Sequence, residues 1–374
     1  MTNPVSSRAG RVSVTMLSKQ TLPNYLVIRE LFQKGDSLLF ITSRTMSSRL
    51  KLIEQALADL EAKVDSVVFS DDDIEEKWNL MCQEIGSKLA KDGSYLVNLT
   101  GGTKFISLAA HKVFGEYNSQ FYYLPWPKNY LLRPMQSNDD KMILQYRIKV
   151  EEYFKTHGLN IVRSESRLLL PKEYTTNFFG FFVNHLGRDA EIIDKLRSYR
   201  DKKHLIISEV ENGGTTNYPQ IKELSSFLEK IRFPLLASGV LDRAETQYLT
   251  GGWFEEYAYS LVKDRLNPDD ILLDVVFKTE NRQQNELDVV FTLNNKLYVI
   301  ECKSGGVDKE SLANPIIFKA VALKETLFGL AAKSIIFSLS SHVPKRAEDL
   351  NALFFDRSYF VDPNKIDCIK NEIL

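Results

Sequence analysis

The chain has 374 residues, 44% hydrophobic and 26% charged, with a formal net charge of −1. That composition can bury two or three globular cores and excludes a chain-wide basic field, so any nucleic-acid surface must be a local patch. Three widely spaced cysteines, Cys82, Cys302 and Cys368, form no C-x-x-C pair, which argues against zinc clusters and a disulfide framework and for a reducing, cytoplasmic setting.

Met1 to Gly10 lacks the apolar run of a leader, and no uncharged run is long enough to cross a bilayer, so no membrane partner is expected. From Val12 onward, apolar runs alternate with amphipathic stretches. Strands are predicted over Val12 to Leu17, Ser37 to Thr42, Ser66 to Phe69, Tyr95 to Leu99 and Gln120 to Leu124. Helices are predicted over Tyr25 to Phe32, Arg49 to Leu60, Ile74 to Leu89 and Phe105 to Val113. This alternation implies an α/β fold with a parallel, Rossmann-like sheet covered on both faces, whose ligands sit beyond the carboxyl ends of the strands.

Three of those strand ends are rich in small hydrogen-bonding residues: Ser18 with Gln20 and Thr21, Thr42-Ser43-Arg44, and Asn98-Leu99-Thr100-Gly101-Gly102-Thr103-Lys104. In the last, two glycines allow a close backbone approach, Thr103 caps the following helix, and Lys104 adds charge near a helix N-terminus that favours anions. A phosphate site and a plain glycine turn with an N-cap both satisfy that pattern. There is no G-x-G-x-x-G and no G-x-x-x-x-G-K-[ST], which disfavours an NAD enzyme or a Walker ATPase. Asp71-Asp72-Asp73 reads as helix capping, His111 as packing or surface, and Tyr122, Tyr123 and Trp126 as core.

Met142 to Lys149 is a predicted strand and Glu151 to Thr156 a helix ending at His157-Gly158. The pattern to about Phe233 is mixed. The aromatic run Tyr174 to Asn184 is expected to pack in a core rather than stack on bases, and helices are expected over Arg188 to Arg200 and Ile221 to Ile231. Residues 151–235 are therefore read as a connector.

Beyond it, Gly251-Gly252-Trp253-Phe254-Glu255-Glu256-Tyr257 opens a helix. Its periodicity puts Glu255 near the apolar face and Glu256 toward solvent. Asn285 to Phe291 and Leu297 to Ser304 read as strands joined by an Asn294-Asn295 turn. Alternation sends Glu301 and Lys303 to one side and Cys302 to the other, and pairing brings Asp288 near Glu301. Charges in apolar strands are costly without a partner. A hard divalent cation, Mg²⁺ or Mn²⁺, held by Asp288 and Glu301 would neutralise them. Ile316 to Leu330, with Lys319 and Lys324, is expected to be an amphipathic helix and Lys333 to Leu339 a strand.

The order helix-Glu255, strand-Asp288, strand-Glu301-Cys302-Lys303 resembles the PD-(D/E)xK nucleases, although no proline precedes Asp288. Joined to Asn98–Lys104 and the Ser18 to Asn24 loop, it resembles the CRISPR ancillary nucleases with a CARF (CRISPR-associated Rossmann fold) domain. The resemblance spans both ends of the chain and is weakest between them. It implies a CARF domain over 1–150 and a restriction-endonuclease-like PD-(D/E)xK domain over 236–374. It further implies a homodimer that binds a cyclic oligoadenylate, usually cyclic tetra-adenylate, and an activated metal-dependent nuclease that cuts DNA and in some members RNA. Thr100, Gly101, Gly102, Thr103 and Lys104 would cradle the activator, with Gln20, Thr21 and residues near Ser43-Arg44. Asp288, Glu301 and the Cys302 carbonyl would hold the ion, and Glu255 and Lys303 would complete the catalytic set. The alternatives are an unregulated restriction- or repair-type nuclease and a non-enzymatic CARF sensor regulating transcription.

Overall fold

A computed structural model describes residues 10–134, 141–213, 215, 217–234, 239–279, 284–304, 332–339 and 352–373. The expected helix Ile316 to Leu330, with Lys319 and Lys324, lies outside the described residues.

The first half builds a five-stranded parallel sheet from β1 (Val12–Met16), β2 (Ser37–Thr42), β3 (Lys63–Val68), β4 (Ser94–Asn98) and β5 (Asn118–Tyr122), in the order β3-β2-β1-β4-β5. Helices α1 (Leu22–Leu31), α2 (Ser47–Ala56), α3 (Trp78–Gly86) and α4 (Lys104–Phe114) connect the strands. The Rossmann-like layer read from the sequence is present. Its winding reverses between β1 and β4, and in open α/β sheets ligands bind outside the strand ends at such a switch point.

Tyr122 is buried and Trp126 packs on the core, as expected, whereas Tyr123 is 41% exposed. His111 lies against the Phe121 ring, 4.5 Å between centroids. Asp71 accepts from the Asp73 N–H at 2.9 Å and pairs with Lys77, closing the turn before Ile74–Glu76.

After the short hairpin β6 (Tyr130–Leu131) and β7 (Met142–Ile143), the expected strand to Lys149 does not continue. Side chains take its backbone groups instead. Glu30 Oε2 accepts from the Gln145 and Tyr146 N–H groups at 2.9 and 2.8 Å, and Asn295 Oδ1 accepts from Ile148 N–H at 2.9 Å. Helix α5 (Val150–Thr156) follows, ending where His157-Gly158 predicts.

The second half centres on a six-stranded mixed sheet. It uses β8 (Asn160–Glu165), β11 (Asp270–Lys278), β12 (Gln284–Leu293), β13 (Lys296–Lys303), β14 (Ala332–Ser338) and β15 (Leu353–Phe355), in the order β15-β14-β13-β12-β11-β8. A small ribbon pairs β9 (His204–Ile206) with β10 (Val240–Asp242). Strand β8, inside the segment read as a connector, thus closes one edge of this sheet.

One 25-residue helix, α6 (Lys172–Leu196), replaces the aromatic run and charged helix expected separately. Its Phe178, Phe179 and Phe182 are buried against Trp253, Phe254 and Tyr257 of α10 (Trp253–Leu266), with Phe179 and Tyr257 stacked at 3.9 Å. The aromatic run is core, as the sequence suggests. Three short helices, α7 (Ile207–Asn212), α8 (Leu224–Lys230) and α9 (Arg243–Gln247), complete the middle of the chain, and a π-turn, Tyr248–Gly252, leads into α10.

Candidate active site

The reacting groups come from α10 and the β12–β13 hairpin. Asn294 and Asn295 both have positive φ, 52° and 61°, as a tight two-residue turn requires. The register then runs from Leu293↔Lys296 to Val289↔Ile300, so Asp288 and Glu301 stand one step beyond the last paired residues. Alternation buries Tyr298, Ile300 and Cys302 in the larger core while Glu301 and Lys303 project from the other face. Asp288 Oδ2 accepts from the Cys302 N–H at 2.6 Å, and Lys303 Nζ donates to Glu301 Oε1 at 2.7 Å.

Electrostatics ties Glu255 to the same cluster. Burial, then Glu301 and Glu255, hold the Asp288 carboxyl well above the usual carboxylate range. Burial pushes Glu255 up to about 7, against the pull of Arg200. Burial opposes the charge on Lys303, but Asp288 and Glu301 outweigh it and the amine is held above its ordinary value. At neutral pH Lys303 is therefore an ammonium, suited to orienting a water or offsetting negative charge rather than to accepting a proton.

Glu256 corrects the sequence reading. It is 5% exposed rather than solvated, its Oε1 accepts from Leu169 N–H at 2.6 Å, and burial raises it to about 7. Helix α10 lies between the sheet and α6, so the face expected to meet water is covered.

Three neighbours were missed from sequence. Asp274 sits in a left-handed conformation, φ 51°, where β11 shifts register against β8. The bulge switches which residues face which core: Ile271 and Leu273 join one cluster, Val275 and Phe277 the other. Asp274 pairs with Arg163 at 2.8 Å and faces Glu286, whose carboxyl is raised by burial and by Asp274. A lone acid inside Leu272-Leu273-Asp274-Val275-Val276 is the same signal that marks Asp288. Arg200, the third, leaves no such signal.

The donor set fits a hard divalent cation: Asp288, Glu301 and Glu255 supply oxygen ligands, and the burial and mutual repulsion that raise the Asp288 and Glu255 carboxyls are costs that a bound cation would offset. Among the described residues no three metal-ligating side chains already surround one point. The Cys302 N–H and Lys303 engage only one oxygen each of Asp288 and Glu301, Oδ2 and Oε1.

In the first half, the expected ligand residues follow the carboxyl ends of three adjacent strands, β2, β1 and β4. A Cβ on Gly101 would fall 1.9 Å from the Met16 carbonyl oxygen, and Gly102 has φ 76°, so both positions demand glycine. Asn98 is buried and braces the loop, donating to Thr15 Oγ1 and Asn24 Oδ1 at 2.9 and 3.2 Å and accepting from Thr100 N–H at 3.0 Å. Thr100 Oγ1 accepts from Leu124 N–H at 2.7 Å, and Thr103 caps α4 by accepting from Ile106 N–H at 3.3 Å. Lys104, Arg44 and Gln20 are exposed, and Ser43 is half-buried. Ser18 donates to the Gln20 carbonyl, and Thr42, fully buried, to that of Ser43. Thr21 is buried, and its hydroxyl has no hydrogen-bond partner among the described residues.

Two family models match, the Card1 CARF domain over residues 12–153 and the Card1-like endonuclease domain over residues 242–361. The chain belongs to the Card1-like CARF nucleases. Similar solved structures include protein VC1899 from Vibrio cholerae, at TM-score 0.71 and 19% identity, covering 97% of each chain. Can2 from Sulfobacillus thermosulfidooxidans in complex with cyclic tetra-adenylate has TM-score 0.68 and 20% identity, over 97% of this chain and 98% of that one. A type III CRISPR defence DNA nuclease activated by cyclic oligoadenylate has TM-score 0.58 and 15% identity, and this chain covers 52% of its length. No curated protein matches. No helix among the described residues is long and apolar enough to cross a membrane.

Proposed function

We propose that this Card1-like chain is a cyclic-oligoadenylate-activated, metal-dependent nuclease of type III CRISPR defence, acting in the cytoplasm as a homodimer. The observation that supports the catalytic reading is the grouping of Asp288, Glu301 and Lys303 at the open end of the β12–β13 hairpin, with the charge of Glu255 bearing on Asp288. Asp288, Glu301 and the Cys302 carbonyl would hold Mn²⁺ or Mg²⁺, with Glu255 binding directly or through water, in the manner of PD-(D/E)xK enzymes. When bound, the ion supplies Lewis acidity at the phosphate. Lys303 orients the attacking water and offsets charge that develops on the phosphodiester. Cyclic tetra-adenylate is the proposed activator. The close approach of Gly101 and Gly102 to the end of β1, the exposed Lys104 and the Thr21 hydroxyl without a partner among the described residues support that choice. A two-fold symmetric ring suits an interface in which both subunits offer the same loops. DNA is the substrate proposed first and RNA second.

The test incubates purified protein with synthetic cyclic tri-, tetra- and hexa-adenylate, Mn²⁺ or Mg²⁺, and labelled single- and double-stranded DNA and RNA. Cleavage is expected only with activator and metal, with loss of at least about a hundredfold in Glu301→Gln and Lys303→Ala. Full activity in Lys303→Ala, or cutting under chelator, would sink the mechanism. Equal cutting with and without activator would leave an unregulated nuclease.

A further inference from the structure

The catalytic cluster has a third cation that the proposed reaction has not used. Arg200 ends the single turn Arg197–Tyr199, far in sequence from the reacting residues. Tyr199 anchors that turn: it is buried and donates its hydroxyl to the Pro219 carbonyl at 2.9 Å. The turn therefore presents Arg200 on a fixed base while leaving the side chain exposed.

Its terminal Nη2 lies 4.0 Å from the point where a Cβ on Gly251 would stand, and Ser304 Oγ lies 3.5 Å from that same point. The guanidinium thus lies beside the turn that leads into Glu255, a turn that Ser304, the residue after Lys303, also approaches. Its charge is felt by both Glu255 and Glu286. The other two cations are already committed, Lys303 to Glu301 and Arg163 to Asp274. Nearby, Lys202 rests over the Tyr218 ring at 3.9 Å. Arg200 closes no ion pair among the described residues.

We infer that Arg200 grips the phosphodiester backbone of the nucleic-acid substrate beside the catalytic cluster. A planar guanidinium offers paired donors matched to two phosphate oxygens. In a chain of net charge −1, such a local cation must draw the polyanion past a ring of carboxylates. The inference rests on the nuclease reading for its substrate, and its test separates the two.

Binding of a labelled DNA duplex is measured by fluorescence anisotropy across a salt series, in a Glu301→Gln background that cannot cut. Adding Arg200→Ala should weaken binding about tenfold and flatten the dependence of log affinity on log salt by about 0.9, one phosphate's worth. Arg200→Lys should recover part of the affinity. Lys203→Ala, a nearby exposed cation, is the control and should leave the slope within about 0.3 of its parent. In the activated, cutting-competent chain, Arg200→Ala should raise KM while Mn²⁺ affinity measured by calorimetry stays unchanged. An unaltered salt slope, with weaker Mn²⁺ binding or a displaced pH profile, would show that Arg200 only balances Glu255 and would overturn the inference. So would equal losses in Lys203→Ala, or no DNA binding by the Glu301→Gln chain. If the unmutated chain fails to cut but the salt slope still depends on Arg200, the nuclease reading falls and the phosphate contact stands.

Discussion

Glu255 and Glu256 are adjacent on α10, and both carboxyls rise to about 7 for the same first cause, burial. Their neighbours give them different work. Glu256 is held by Leu169 N–H and Thr175 on the side toward α6 and keeps its proton in the folded chain at mildly acid pH. In the unfolded chain it ionises near 4.5, so between that value and about 7 the unfolded state binds fewer protons and stability falls as pH rises. Glu256→Gln removes the ionisation and keeps an acceptor for Leu169. It should stabilise the protein by about 1–3 kcal/mol at pH 8 and by nearly nothing at pH 4, read as the difference between two thermal melts. Under the proposed mechanism Glu255 must lose its proton to serve the ion. Cleavage should therefore rise with pH through about 7 at limiting Mn²⁺. That acid limb should move to lower pH as Mn²⁺ is raised, because metal and proton compete for the same oxygens. A limb indifferent to Mn²⁺ would separate Glu255 from the ion. At this scale the sequence misjudged Glu256, because a periodicity argument assumes one wet face and Glu256 lies on a side of α10 that α6 covers.

The β12–β13 hairpin was legible almost residue for residue, since two short polar residues between β-branched runs leave few other conformations. Less legible were elements whose backbone is satisfied by distant side chains. Gln145 to Ile148 read as strand but is held by Glu30 and Asn295, and β8 carries too few apolar residues to announce an edge strand. The same Asn295 shows how the hairpin is anchored. Its side chain is fully buried, accepting from Ile148 N–H and donating to Asn129 Oδ1 at 2.8 Å and the Tyr146 carbonyl at 3.1 Å. Thr292 adds a 2.7 Å bond to the Ile148 carbonyl. Asn295→Ala strands these groups and puts an alanine at φ 61°. It should cost about 2–4 kcal/mol in denaturant melts, whereas Asn294→Gly, at an exposed left-handed position, should be neutral or slightly stabilising. In the first sheet, Gly101→Ala should abolish activation, because its methyl would collide with the Met16 carbonyl. Binding of cyclic tetra-adenylate by calorimetry checks this, and unchanged affinity would dissociate this loop from the activator.

One apolar cluster bridges the two sheets. Leu22, Tyr25 and Leu26 of α1 share it with Val275, Phe277, Leu287, Val290, Leu297 and Val299 of the six-stranded sheet. Sequence reading separated the halves by pattern and had no means of seeing that their cores fuse, because the contacts join residues far apart along the chain. A fused core predicts one cooperative heat-capacity peak for the intact protein, and cyclic tetra-adenylate at about a hundred times its Kd should lift that single peak by about 2.7 kcal/mol of stability. Two separable peaks, only the first moving with ligand, would refute the fusion. For anyone wishing to dissect this enzyme, the shared interior means the endonuclease half is no detachable tool. Excision after α5 would leave Val275, Phe277, Leu297 and Val299 bare and Asn295 reaching for atoms that had been removed. The fragment should precipitate, whereas a full-length chain blinded to its ligand should stay folded and inert.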